Sequence, residues 1–182
     1  MAEHPYRPLS LPNIRQRLYR GIEGLLAPWR RIDDRPAVAV LTADTLPLYL
    51  RLSKPDRAHS LRVLAWLRRH GHTDPDLIAA ALLHDCGKAA ARIGVWQRTL
   101  KVLLKRLNPA RWRALSRPAD RKNWRYPFYV LRHHPEIGAQ WAEQAGCTPK
   151  LVWLIRFHEV DADPADPRYG LMRGLQDADA AS

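Results

Sequence analysis

Six residues combine metal-binding side chains with inward-facing or helix-terminal positions: His59, His84, Asp85, His134, His158 and Asp179. His84 and Asp85 end the run "AALLHDCGK" (80–88), where an apolar helix finishes in an imidazole and a carboxylate side by side. At about 100° per helical residue, His84 lies on nearly the same side as Leu77, and Asp85 falls near Ile78 and Ala81. His59 shares a face with Val63 and Trp66, and His158 shares one with Leu151, Leu154 and Ile155. Asp179 lies near the face set by Leu171, Leu175 and Ala178, while Asp177 points away. His134 precedes Pro135 and reads as a helix cap. Taken singly, each histidine reads as a satisfied core residue, and Asp179 as a solvent-facing residue of a last helix. Together they suggest something sharper. A buried imidazole or carboxylate without a partner is costly. Four imidazoles and two carboxylates from separate helices can satisfy one another by sharing a divalent ion. Neutral imidazole and carboxylate are ligands that Mn, Fe, Zn and related ions accept, and a carboxylate such as Asp85 can bridge two ions.

The elements that must position these groups are helices. Proline follows a boundary residue at Asp74-Pro75, His134-Pro135, Thr148-Pro149 and Asp166-Pro167, and proline is well placed at a first helical position. Gly87 and Gly146 read as stops. The spacing predicts helices over 12–29, 57–70, 75–86, 95–107, 110–116, 126–133, 135–145, 149–159 and 167–180. Residues 36–52 are helical or mixed and broken by Pro47, and 117–124 form a basic loop. No strand, internal repeat or low-complexity tract stands out. The fold class is therefore all-α. Residues 1–56 are expected to add extra N-terminal helices packed on a core domain of 57–182.

The chain has 182 residues, 46% of them hydrophobic, which suits one domain with a real core. Its formal net charge of +12 favours anionic partners. Cys86 and Cys147 show no metal-type pairing and no disulfide framework, so a reducing cytoplasm is expected. No apolar run is long enough to span a membrane, and the N-terminus lacks a signal-peptide pattern. Cys86 is read as a small filler on the outer side of its helix end.

The order "HSLRVL … AALLHDCGK … HPEIG … IRFHE … LQDADAA" resembles the metal-dependent HD phosphohydrolase superfamily, and its HDIG-like branch in particular, with Cys86-Gly87 where Ile-Gly is usual. The resemblance covers residues 57–182 and implies an HD-domain helical bundle. It implies that His59, His84, Asp85 and Asp179 hold a first metal, with Asp85 bridging, and that His134 and His158 hold a second. Lys88, of the His-Asp-x-Gly-Lys run, would contact a substrate phosphate. The implied cofactor is one or two divalent ions (Mn, Fe, Zn, Ni, Co or Mg). The implied reaction is hydrolysis of a phosphate ester, a nucleotide above all, by metal-activated water. Close two-metal relatives often carry His-His where this chain has His158-Glu159, so Glu159 as an oxygen ligand and a weak second site both stay open. His133 is an alternative ligand to His134, though the motif register favours His134.

Two other readings compete. One is an HD-fold sensor that binds a metal and an anionic ligand with little turnover. The other is a basic helical protein that binds nucleic acid. Residues 95–125 carry many Lys and Arg interleaved with Trp96, Trp112 and Trp124, a pattern that fits nucleic acid or an anionic membrane surface. The plainer reading is an amphipathic helix with Leu103, Leu104 and Leu107 packed inward beneath a solvated basic face.

Overall fold

The structure, a computed structural model, describes residues 32–182. The helix expected over 12–29, and the rest of the N-terminal extension before residue 32, lie outside the described residues. The described chain is all-α: α1 (Arg35–Val38), α2 (Leu46–Leu50), α3 (Lys54–Arg69), α4 (Pro75–Leu83), a 3₁₀ helix (Cys86–Ala90), α5 (Val95–Leu107), α6 (Pro109–Leu115), α7 (Tyr126–Gln144), α8 (Pro149–Phe157) and α9 (Tyr169–Ala181). Among the described residues no helix is long and apolar enough to cross a membrane.

The centre of the fold is α4. Leu77, Ala80, Ala81, Leu82 and Leu83 are all fully buried, because α3, α8 and α9 pack around this short helix. A helix apolar on every side has no solvent face to offer, which is why the Ala/Leu run contains so few polar residues. Its start is fixed by Asp74, whose Oδ1 accepts from the backbone N–H groups of Asp76 and Leu77, each at 3.0 Å. Lys150 of α8 ties the same turn down by donating to Asp74 Oδ2 at 2.8 Å. Part of the expected N-terminal extension does pack on this core. Ala37, Leu48, Tyr49 and Leu52 are buried in it, and Tyr49 donates to Asp34 at 2.7 Å.

Proline punctuation holds at Pro75 and Pro149, where Asp74 and Thr148 cap the helices. It fails at Pro135. The two helices expected over 126–133 and 135–145 are one continuous α7 with Pro135 inside it, and His134 is a buried mid-helix residue, not a cap. Asp166-Pro167 forms a turn that leads into α9, which begins two residues later than expected. Pro47 starts α2 rather than breaking it. Gly146 is a helix stop with φ of 73°, but Gly87 is not: α4 ends at Leu83 and Gly87 lies within the 3₁₀ helix.

A smaller core lies under α5 and α6, where Trp112, Phe128 and Leu131 are buried and Leu100 and Leu104 pack against them. The inward packing expected of Leu103 and Leu107 is not found; they are 50% and 70% exposed. The inner face of α5 is set instead by Gln97, Leu100, Lys101 and Leu104. That face meets α7, and α7 does not extend far enough around α5 to cover the other two leucines.

Candidate metal centre

All six residues singled out by type and spacing gather at one end of α4. His84 caps that helix and Asp85 leads into the 3₁₀ helix. His59 comes from α3, His134 from α7, His158 from the end of α8 and Asp179 from α9. They form two trios, His59–His84–Asp179 and Asp85–His134–His158, and within each trio one donor atom per residue lies within 4.8 Å of the others.

The trios join at the His84-Asp85 pair. In the first, His59 Nε2 is 2.8 Å and His84 Nε2 3.8 Å from Asp179 Oδ1. In the second, His134 Nε2 is 3.1 Å and His158 Nε2 3.9 Å from Asp85 Oδ1. His84 Nε2 lies 3.5 Å from the other Asp85 oxygen. The rings of His84 and His158 are 5.1 Å apart and those of His134 and His158 5.2 Å.

The backbone decides which ring nitrogen faces the centre. Nδ1 of His84, His134 and His158 lies 3.2, 3.3 and 2.8 Å from the carbonyl three residues earlier in each case, Ala81, Leu131 and Ile155. A carbonyl only accepts, so Nδ1 carries the proton and Nε2 presents a lone pair inward. This is the tautomer a metal ligand needs. It leaves the buried Nε2 atoms of His84 and His134 without a hydrogen-bond partner. A lone pair of His134 therefore faces a carboxylate oxygen 3.1 Å away, an arrangement that calls for a cation between them.

A proton is a poor candidate for that cation. Burial pushes His134 and His158 down to about 4, and burial also lowers His84. These rings are neutral at pH 7. For Asp85, burial opposes ionisation, but the Lys88 ammonium outweighs it and holds the carboxyl well below the usual range. Burial likewise opposes the charge on Asp179, and the hydrogen bond with His59 overcomes it. Neutral imidazoles with lone pairs aimed at ionised carboxylates make a donor set that fits a divalent ion.

Pro135 explains one of these orientations. Without an N–H, it cannot bond the carbonyl of Leu131, four residues earlier. That carbonyl accepts instead from His134 Nδ1 and from Lys101 Nζ, each at 3.3 Å. The proline that read as a helix start thus frees the acceptor that orients a candidate ligand.

Gly87 explains the spacing. A Cβ there would run into the His134 carbonyl oxygen and stand 2.7 Å from the Gly138 nitrogen. The 3₁₀ helix therefore lies backbone to backbone on α7, and this contact sets the distance from Asp85 to His134. Cys86 is a filler as expected, but it is fully buried rather than on an outer side, with its thiol donating to the Gly138 carbonyl at 3.7 Å. Burial pushes that thiol up to about 12.

The open alternatives divide clearly. His133 lies tilted against Tyr129 with ring centroids 4.6 Å apart and belongs to neither trio. Glu159 reaches to 3.9 Å from His134 Nε2, yet its oxygens are taken by Lys101 at 3.1 Å and Lys105 at 3.5 Å. Burial opposes its ionisation, Lys101 outweighs that, and the carboxyl falls to about 2. Lys88 donates to Asp85 Oδ2 at 2.5 Å. Sequence reasoning missed Lys101, which holds both Glu159 and the freed Leu131 carbonyl. The signal was a lysine on the inner stripe of α5, four residues after Gln97 and three before Leu104.

Comparison of the chain with protein-family models, curated proteins and solved structures gives no match.

Proposed function

We propose that this protein is a metal-dependent phosphohydrolase or phosphodiesterase that acts on a phosphate ester, a nucleotide above all, as its resemblance to the HD superfamily implies. The observation that carries the reading is the convergence of partnerless buried Nε2 atoms on the ionised carboxylate of Asp85. His59, His84 and Asp179 would hold one divalent ion and His134 and His158 a second, with Asp85 shared. An ion held there supplies a water whose pKa is lowered to about 7, a nucleophile at neutral pH.

The chain's own residues do the rest. Three backbone carbonyls fix the imidazole tautomers before anything binds, so no rearrangement is needed at that point. The trio around Asp85 is sealed from solvent, which strengthens its electrostatics. His59 and Asp179 are partly exposed and form the solvent-facing side of the cluster. Lys88 stays cationic in its buried position because Asp85 outweighs the cost of burial, and it is placed to offset charge growing on phosphoryl oxygens. Lys101 and Lys105 hold Glu159 in ion pairs beside the second trio.

The test is elemental analysis of freshly purified protein, followed by hydrolysis of bis-p-nitrophenyl phosphate and a nucleotide panel with Mn²⁺. Bound metal with turnover is expected. Bound metal without turnover on any of these favours the sensor reading, and protein that takes up no divalent ion overturns the proposal. Chelation adds a check independent of activity. At a hundredfold excess of metal over Kd, binding stabilises by about 2.7 kcal/mol, so stripping the metal lowers Tm by about 5–10 °C.

A further inference from the structure

Behind Lys88 lies a cavity of about 540 Å³, lined by Arg51, Ser53, Asp56, Lys88, Arg98 and residues 89–94, Arg92 among them. Lys88 is the wall between this cavity and the metal-ligating cluster, since its ammonium reaches Asp85 from the cavity side. We propose that this cavity is an anion pocket that seats a second phosphate group of the substrate, so that the substrate class is oligophosphorylated rather than a simple monoester. The inference rests on the phosphohydrolase reading for the first phosphate.

The charge balance of the wall is the main argument. Four cationic side chains line the wall, and two of them are already matched, Lys88 by Asp85 and Arg98 by Asp56. Asp56 is buried, accepts from both terminal nitrogens of Arg98 at 2.8 and 2.9 Å, and accepts from Ser53 Oγ at 2.5 Å. The Asp56–Arg98 pair links α3 to α5 and holds the cavity open as a fixed frame. Arg51 and Arg92 have no carboxylate partner among the described residues. Arg51 lies 5.7 Å from the centre of the Trp141 ring, and Arg92 is exposed at the rim. Clustered cations without counter-charges repel one another, and an arriving anion relieves that repulsion.

Two further features separate a phosphate chain from a nucleoside base as the occupant. The lining has no aromatic ring, and its apolar residues are Ile93 and three alanines, so a base has nothing to stack on. The N-terminus of α5 opens at Gly94 in the same wall with no side-chain cap, which adds the positive end of a 13-residue helix to the cationic side chains. The volume is far larger than a lone ion needs.

The experiment uses the full-length chain stripped of metal, so that binding reports the cavity and not a metal ion, with sodium tripolyphosphate as the calorimetric probe. The wild-type chain is expected to bind one tripolyphosphate, and the Arg51→Ala/Arg92→Ala variant to bind it at least tenfold more weakly while keeping the wild-type circular dichroism. An Arg111→Ala/Arg113→Ala variant loses the same charge from the exposed face of α6 and is expected to bind as the wild type does. Equal affinity in all three chains, equal weakening in both variants, or no binding to the wild type overturns the pocket. The phosphohydrolase reading fails separately: tripolyphosphate binding that depends on Arg51 and Arg92, with no turnover of any phosphate ester by the metal-loaded protein, removes that reading and leaves the pocket standing.

Discussion

The two trios at the end of α4 use the same residue types but are built differently. In Asp85–His134–His158 no side chain is more than 4% exposed. In His59–His84–Asp179 only His84 is sealed, and His59 and Asp179 are 20% and 41% exposed. The closed trio is fixed by main chain. A proline frees the carbonyl that orients His134, and a glycine lets two backbones touch. The open trio is fixed by side chains, chiefly the contact between His59 and Asp179 across α3 and α9. One set of side chains is rigid and sealed, the other adjustable and open to solvent. The difference gives the cluster one closed side and one exposed side.

Substitutions can break or sharpen this contrast. Asp85→Ala touches both trios and strands Lys88, so metal analysis is expected to find neither ion, and turnover falls by more than about a thousandfold, or roughly 4 kcal/mol in the barrier. Retained metal counts against a shared carboxylate. Gly87→Ala forces the 3₁₀ helix off α7. Chemical denaturation is expected to show a loss of about 3 kcal/mol, the upper part of the usual range for overpacking, and metal is lost first from the closed trio. Asp179→Ala affects the open trio alone: one metal equivalent is lost and turnover drops roughly 10- to 100-fold, while the fold holds. Pro135→Ala is the mildest change and the most discriminating. It returns an N–H to the helix, which raises Tm because an interior proline is unfavourable. That N–H then competes for the Leu131 carbonyl, and metal affinity, measured by competition with a chromophoric chelator, falls about tenfold. Stability and affinity moving together in this variant would show that Pro135 does not orient His134.

What the sequence revealed depended on the range of the forces involved. Helical periodicity is local, and it turned His84 and His158 inward as found, with His59 and Asp179 at the edge of the cluster. Capping is local too, and Asp74 and Thr148 behave as their types predict. Pro135 misled because a proline after a polar residue looks the same at a helix start as inside a helix. What settles it is Lys101, on another helix, satisfying the carbonyl that the proline leaves bare. Leu103 and Leu107 misled for a related reason. An amphipathic pattern shows that a face is apolar, but whether a neighbour reaches far enough to cover it is a tertiary fact. The Asp56–Arg98 and Lys101–Glu159 pairs join residues 42 and 58 positions apart, and no local pattern announces them. The 3₁₀ helix at Cys86–Ala90 was likewise hidden, since Gly87 is there for closeness to α7 and not to end a turn.

If the centre holds a metal as proposed, the contact at Gly87 bears on which cation it would accept. A pocket walled by rotamers can widen by letting a side chain swing aside. Here the gap between Asp85 and His134 is set by peptide groups resting on each other, and they have no torsion to spare. On the proposed reading, an ion of larger radius would have to push two helical elements apart to enter, so size, more than ligand softness, would be the selective filter on this side of the molecule.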